Sequence, residues 1–131
     1  MTDLKQCELF EGLSDKELKS IASDLREVQQ PAGRELAVRG TEGVGFMVIL
    51  DGELEVTTAD GRKRSLGPGD YFGEIALLDH QGRSATVVAK TEVKLAGIPE
   101  WFFKSFLTSH PSVMYRLLET MSVRLREAEE S

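Results

Sequence analysis

Glu74 and Arg83 are the two residues whose types and placement best suit the binding of a ligand. Both lie in the stretch YFGEIALLDHQGRSATVVA, which interrupts a series of short apolar segments. Gly73 is expected to open a short helical turn over residues 74–78, and free backbone N–H groups at the start of such a turn suit a phosphate. Arg83 comes just before an apolar segment. There it either reaches solvent or enters the interior, where it needs an anion. The planar fork of arginine matches a phosphate best, so the stretch predicts a phosphate site.

A plainer interpretation of the same two residues stays open at this point. Glu74 could be a solvated loop acid, with Arg83 as its partner in a surface ion pair. Such pairs are common and weak, so spacing alone does not exclude this arrangement.

Other kinds of chemistry find little support in the sequence. His80 and His110 have no metal-ligating neighbours at a useful spacing, and we expect both to be loop residues. Cys7 is expected to be a small apolar contact or a partly exposed thiol. We find no Ser-His-Asp arrangement, metal cluster or Walker A pattern, so we expect neither an enzyme nor a metal site.

Composition and charge narrow the class of protein. A chain of 131 residues fits one domain with one core. It has no apolar run of the ~20 residues that a membrane helix needs, and its N-terminus does not resemble a secretory signal. One cysteine allows no internal disulfide, which favours a cytoplasmic setting. The net charge of −6 argues against direct nucleic-acid binding, and an anionic ligand would need a local cation.

Residues 1–30 are predicted to form an N-terminal helical segment. Ser14 and Glu17 have the spacing of a capping box, and apolar residues follow at helical intervals through Leu25. The Pro31-Ala32-Gly33 run is expected to end that helix.

Residues 31–98 are predicted to be strands, because the hydrophobic period changes to two. Asp51-Gly52 is a turn signal, and a second turn over 59–62 is expected to close a hairpin onto 62–66. Two valine-rich strands are expected at 85–89 and 93–98. Short strands with a turn every 8–12 residues are typical of a sandwich or barrel.

Residues 99–128 are predicted to form two helices. Pro99 suits the first turn of the first helix, and Trp101, Phe102 and Phe106 would form its apolar face. In the second helix apolar residues recur every four positions: Val113, Leu117, Met121 and Leu125. That stripe could be plain core packing, the seam of a homodimer, or a lid.

The segments FGEIALL and RSATV together resemble the phosphate-binding cassette of the cyclic nucleotide-binding domain family, here over 72–86. The segments LFEGLSDKEL and GTEGVGFMVILDGELEV are similar to the family's N-terminal helices and glycine-punctuated strands. The resemblance implies a single, mainly β domain over residues 1–131. Its β-roll or jelly-roll barrel would have N-terminal helices and two C-terminal helices.

The resemblance also implies roles for individual residues. Glu74 would accept a hydrogen bond from the ribose 2′-OH, and Arg83 would pair with the phosphate oxygens. Bonds of this kind contribute about 1.5–3 kcal/mol each. The two side chains would pair with each other when the pocket is empty. One departure is Gly82, where the family often has proline, and a looser loop would follow. The implied binding set is Gly73, Glu74, Ile75, Ala76, Arg83, Ser84 and Ala85.

The final helix would cover the bound base as a lid. Met121, Arg124 and Leu125 are the side chains expected there, since arginine or an apolar group can stack on a purine. Ser84 discriminates only weakly between adenine and guanine, and the resemblance favours cAMP over cGMP.

We therefore expect a cytoplasmic regulatory module that senses a cyclic nucleotide and performs no catalysis. Its partners would be the nucleotide, as ligand rather than cofactor, and an output domain or protein reached through the C-terminal helix. The alternative is the same fold serving as an interaction or structural module without nucleotide.

Overall fold

The strands are antiparallel and belong to two sheets. The computed structural model describes residues 4–37, 45–58, 60–73 and 85–130. Within these ranges the strands are β1 (Arg26–Gln30), β2 (Glu35–Ala37), β3 (Phe46–Asp51), β4 (Leu54–Thr58), β5 (Lys63–Leu66), β6 (Tyr71–Phe72), β7 (Ala85–Ala89) and β8 (Val93–Ile98). The first sheet has the order β1-β8-β3-β6 and the second the order β2-β7-β4-β5. The predicted strands over 85–89 and 93–98 are confirmed.

The β4–β5 hairpin also forms as its turn residues predict. Gly61 has φ of +85°, a conformation that glycine adopts without strain. The Thr58 backbone N–H donates to the Arg62 carbonyl at 2.9 Å and closes the turn. The strand register pairs Leu54 with Leu66 and Val56 with Arg64.

The two sheets share an apolar core, which we call the barrel cluster. Its buried members come from both sheets, so the inner faces of the two sheets pack against each other. They are Ile49, Leu54, Val56, Leu66, Phe72, Val87, Ala89, Val93 and Leu95.

A second core, the helix cluster, lies between the first sheet and the helices. On strand β3, Phe46 and Val48 belong to this cluster, whereas Ile49 belongs to the barrel cluster. A strand buried on both faces reads as a continuous apolar run, which is why FMVIL shows little polar alternation. The other buried members are Leu4, Cys7, Leu9, Phe10, Ile21, Tyr71, Ile98, Phe103, Phe106, Leu107, Val113 and Leu117.

The N-terminal segment is shorter in helix than the sequence suggested. Two 3₁₀ turns, Leu4–Gln6 and Glu8–Phe10, precede helix α1 (Asp15–Asp24). The capping box is confirmed: Glu17 N–H donates to Ser14 Oγ at 3.2 Å, and Ser14 N–H donates to Glu17 Oε1 at 3.2 Å.

The prediction of a helical segment reaching residue 30 was wrong for residues 26–30. The chain leaves the helical conformation at Leu25, and Arg26–Gln30 forms strand β1. This strand pairs with β8 along its whole length, and Val28 lies opposite Leu95. The pairing supplies hydrogen-bond partners for the backbone N–H and C=O groups of β1. Val28 is the one apolar side chain of this segment, so a helix there would have little to bury.

The two predicted C-terminal helices are present as α2 (Glu100–Ser109) and α3 (Pro111–Glu130). The predicted aromatic face of α2 was partly wrong. Trp101 is 81% exposed, whereas Phe103 and Phe106 are buried. In the part of the chain that is described, no helix is both long enough and apolar enough to cross a bilayer.

His110 joins the α2–α3 junction to the end of α1. Its Nε2 lies 2.7 Å from Oδ2 of Asp24, and the two side chains are 10% and 28% exposed. The ring also packs on Phe106, with 4.9 Å between the ring centroids. Sequence analysis placed His110 in a loop without a partner, because Asp24 is distant along the chain.

We expect the His110–Asp24 pair to stabilise the fold measurably. A double-mutant cycle with His110→Ala and Asp24→Ala should give a coupling energy of about 1 kcal/mol in urea unfolding, because the pair is partly shielded from water. The control is the exposed pair Lys5–Asp15, whose charged atoms are 3.8 Å apart and whose cycle should show no measurable coupling. Equal coupling in both cycles would show that the buried pair does not fasten the junction.

Candidate functional site

The segment that carries the predicted phosphate site connects the two sheets. It leaves the first sheet after β6 at Gly73 and joins the second sheet at Ala85, the first residue of β7. The predicted residues Glu74, Ile75, Ala76, Arg83 and Ser84 lie outside the described residues, and so do the predicted turn over 74–78 and His80. Their assignments remain predictions. The structure describes the strands at the two ends of the segment, β6 and β7.

The start of the segment is held by a two-residue strand at the edge of the first sheet. Strand β6 pairs with β3, with Phe72 opposite Met47 and Tyr71 opposite Val48. The turn before it is fixed by Gly67 N–H, which donates to Asp70 Oδ2 at 2.8 Å. Gly73 then adopts φ of +102°, a backbone conformation that residues other than glycine rarely adopt. The positive φ thus falls at Gly73, the residue that the sequence predicted to open a helical turn, and the strand β6 before it was not predicted.

The end of the segment is held in the interior of the second sheet. Strand β7 lies between β2 and β4, and Ala85 pairs with Thr58. Two residues later, Val87 is 4% exposed and belongs to the barrel cluster. The segment consequently begins and ends on strands that both contribute to one core.

A cavity of about 150 Å³ lies beside the start of the segment. Its apolar walls include Leu36, Met47 and Phe72, and the last of these immediately precedes Gly73. Arg34 and Glu35 add charged groups to the lining. Small-molecule sites span about 300–1,000 Å³, so this cavity by itself is too small to hold a ligand of nucleotide size.

The predicted lid residues divide into two that contact the domain and one that does not. Arg124 places its guanidinium carbon 5.6 Å from the centroid of the Tyr71 ring, a cation–π contact. Met121 is half-buried and packs against the helix cluster. Leu125 is 61% exposed. The structure thus brings Met121 and Arg124 against the helix cluster and leaves Leu125 exposed.

Tyr71 is a residue of this site that sequence analysis did not identify. It is 6% exposed and contacts Phe46, with 5.7 Å between the ring centroids. It lies two residues before Gly73 and receives Arg124 from α3. The available signal was an aromatic residue directly before the cassette motif, which begins at Phe72. Its partner Arg124 on α3 is too distant in the sequence to be inferred.

The described residues offer no obvious reactive group. Cys7 is 1% exposed, and burial raises the pKa of its thiol to about 12, so the thiol stays protonated and unreactive at neutral pH. This confirms Cys7 as an apolar contact. Within residues 4–37, 45–58, 60–73 and 85–130, no cluster of three or more metal-ligating side chains is found.

Known proteins resemble this chain over most of its length. The chain is 37% identical over 115 residues to a cAMP-dependent protein kinase regulatory subunit of Aspergillus fumigatus, which covers 86% of this chain and 28% of that protein. It superposes on the crystal structure of Thermus thermophilus Catabolite Activator Protein with a TM-score of 0.83 and 30% identity, covering 93% of this chain and 60% of that one. The chain therefore spans less than two thirds of either relative.

A further structural neighbour comes from work on a cyclic-GMP-dependent signalling pathway that regulates bacterial phytopathogenesis. Its TM-score is 0.74 at 27% identity, and the match covers 88% of this chain and 95% of that one.

The family model for the cyclic nucleotide-binding domain matches residues 27–110, a range that contains helix α2 and, apart from Arg26 at the start of β1, both sheets. This range also contains the predicted phosphate site and both strands that hold it. The chain belongs to the cyclic nucleotide-binding domain family.

Proposed function

We propose that this domain binds a cyclic nucleoside monophosphate, cAMP in preference to cGMP, and relays its occupancy through α3. The observation that carries the proposal is the contact between Arg124 of α3 and Tyr71, two residues before Gly73. This contact links α3, the helix that is expected to respond to the ligand, with β6, the strand that precedes the proposed binding segment.

The binding step is assigned to the segment between β6 and β7. By resemblance to the family, Arg83 pairs with the phosphate and Glu74 accepts a bond from the ribose 2′-OH. Gly73 and the backbone amides of Ala76, Ser84 and Ala85 complete the cradle, with Ile75 in the same set. A local cation is essential here, because the net charge of −6 opposes the approach of an anion. The anchoring of both ends of the segment in one core supports this assignment, since a fixed frame reduces the entropy lost on binding.

The relay step is assigned to the second half of α3. Val113 and Leu117 are buried in the helix cluster, whereas residues 122–130 are exposed. Arg124 contacts the domain within this exposed part, on Tyr71. Ligand binding that shifts β6 therefore changes the surface that α3 contacts. The equilibrium between the conformations of α3 shifts as a result. Met121 and Leu125 complete the lid, Leu125 only after it leaves solvent.

The proposed preference for cAMP is supported by two relatives that are described as cAMP-dependent or as a cyclic AMP receptor. One is a cAMP-dependent protein kinase regulatory subunit, and another, from Thermus thermophilus, is a Cyclic AMP receptor protein that is 30% identical over 131 residues. We further propose a cytoplasmic domain without catalytic activity whose α3 contacts an output domain or partner. A cyclic nucleotide-binding fold that serves as an interaction or structural module without nucleotide is the competing function. Dimerisation through the stripe on α3 stays an alternative to the lid.

Reversal of the charge at Arg83 should abolish nucleotide binding. In isothermal titration with cAMP, Arg83→Glu should weaken affinity by more than about a hundredfold, because it removes a charge-assisted pair and places a carboxylate beside the phosphate. The control is Arg62→Glu, the same charge change at a side chain that is 83% exposed and paired with Asp60 on the β4–β5 turn. Wild-type affinity in Arg83→Glu would contradict the proposal. An absence of binding in the wild type would favour the module without nucleotide.

Ligand binding should alter the protection of α3. Amide hydrogen exchange across residues 113–126 should slow on addition of saturating cAMP, because a closed helix loses fewer amide protons to solvent. Arg124→Ala should reduce that change, since it removes the contact with Tyr71. Arg126→Ala, an exposed arginine two residues further along, serves as the matched control. Equal exchange with and without ligand would exclude the relay while leaving binding intact.

A further inference from the structure

We propose that Ser65 is a phosphorylation site for a protein kinase that recognises basic residues before its target serine. Ser65 lies on β5, the second strand of the hairpin, and sequence analysis gave it no role. Phosphorylation at this residue goes beyond nucleotide sensing and does not depend on whether the domain binds a nucleotide.

The sequence before Ser65 is the most basic in the chain. Three consecutive cations, Arg62, Lys63 and Arg64, directly precede the serine, and no other serine or threonine of the sequence follows such a run. Protein kinases use charge patterns to distinguish their substrates, and a cleft lined by carboxylates selects cations before the target hydroxyl. In a chain with a net charge of −6, this run is the segment that such a cleft would select.

The basic run and the serine are accessible on the folded domain. The side chains of Arg62 and Lys63 are 83% and 63% exposed. Ser65 is exposed as well. Strand β5 is the last strand of the second sheet, so among the described strands it pairs with β4 alone. An edge strand is already extended, and a second protein can approach its backbone from the open side.

The ion pairs of the cations do not prevent recognition by a second protein. Arg62 Nε lies 2.7 Å from Asp60 Oδ2, and that carboxylate side chain is 56% exposed. Lys63 Nζ lies 3.8 Å from Glu55 Oε1. Ion pairs that reach solvent to this extent stabilise a fold little, so carboxylates of a kinase can replace these partners.

Lys90 places a cation directly at the oxygen that would receive the phosphoryl group. Its Nζ donates a hydrogen bond to Ser65 Oγ at 3.2 Å. Lys63 lies two residues before Ser65, on the same face of the strand. Glu55 pairs with Ser65 across the ladder and would repel the product. Two cations therefore face the phosphate against one carboxylate, and a phosphoserine of charge about −1.5 to −2 is stabilised there.

The group transfer is balanced with a nucleoside triphosphate as the donor. Ser65 Oγ forms a bond to the γ-phosphorus, while the bond between that phosphorus and the oxygen that bridges to the β-phosphate breaks. The hydroxyl proton passes to a carboxylate of the kinase, and the nucleoside diphosphate leaves. The domain supplies the hydroxyl and the cations around it, and the kinase supplies the catalysis.

Incubation of the folded full chain with an arginine-directed serine kinase and ATP tests the proposal. Wild type should gain one phosphoryl group, located at Ser65 by tandem mass spectrometry, and Ser65→Ala should gain none. Arg62→Ala should lower kcat/KM by about tenfold or more, because it removes a charge-assisted contact with the kinase. The matched control is Arg26→Ala, which removes an exposed arginine from β1 in the other sheet and should leave the rate unchanged.

A synthetic peptide of residues 58–69 separates recognition of the sequence from access in the fold. Phosphorylation of the peptide but not of the folded chain would overturn the proposal, because β5 would then not present Ser65. An absence of phosphorylation in both would overturn it as well, since the kinase would then not recognise the basic run.

The position of the phosphoryl group provides two further outcomes. Its appearance at Ser105, which is exposed on α2 after a single lysine, in place of Ser65 would contradict the proposal. Equal rates for wild type and Arg62→Ala would contradict it too, because the cations would then have no part in recognition. A chain that is phosphorylated at Ser65 but binds no cAMP in titration would overturn the proposed function alone.

Discussion

Strands β3 and β8 of the first sheet bury apolar side chains on both faces, and the proposed coupling between ligand and helices depends on this constraint. Ile49 and Leu95 pack into the barrel cluster, whereas Phe46 and Ile98 pack into the helix cluster on the other side of the same strands. Protein interiors are close-packed, so a displacement of such a sheet cannot be absorbed on one side alone. A sheet with one solvated face could shift without moving the helices at all.

Strand β6 belongs to this doubly packed sheet and directly precedes the segment to which nucleotide binding is proposed to belong. Its two residues point to opposite cores: Phe72 enters the barrel cluster and lines the cavity, whereas Tyr71 enters the helix cluster and supports Arg124. Period-two alternation of a strand makes this division unavoidable for any two neighbours. The shortest strand of the sheet therefore links the ligand side to the helix side, and Gly73 directly after it gives the following chain freedom to turn.

Local patterns predicted the elements that are stabilised locally. The capping box at Ser14 and the turn at Gly61 depend on contacts within a few residues, and both formed as expected. Strand β1 was missed because REVQQ carries almost no pattern of its own and is fixed by β8, far along the chain. The partnership of His110 with Asp24 was invisible for the same reason. Trp101 was assigned to the apolar face of α2 with Phe102 and Phe106, but it lies on the exposed side of that helix.

The candidate site also has one part that is specified by a local motif and another that depends on contacts between distant residues. A contiguous motif makes the phosphate end readable from sequence, because every cyclic nucleotide presents the same phosphate and ribose, and the residues that bind them can follow one another in the chain. The base is what distinguishes one cyclic nucleotide from another, and the residues proposed to cover it lie on α3, far from the motif in the chain. Among the described residues, the one contact of the site that comes from elsewhere in the fold is that of Arg124 with Tyr71, which helix packing brings about. Contacts of this kind are not contained in the motif, where only Ser84 bears on the base, and the motif alone therefore gave only a weak preference between adenine and guanine.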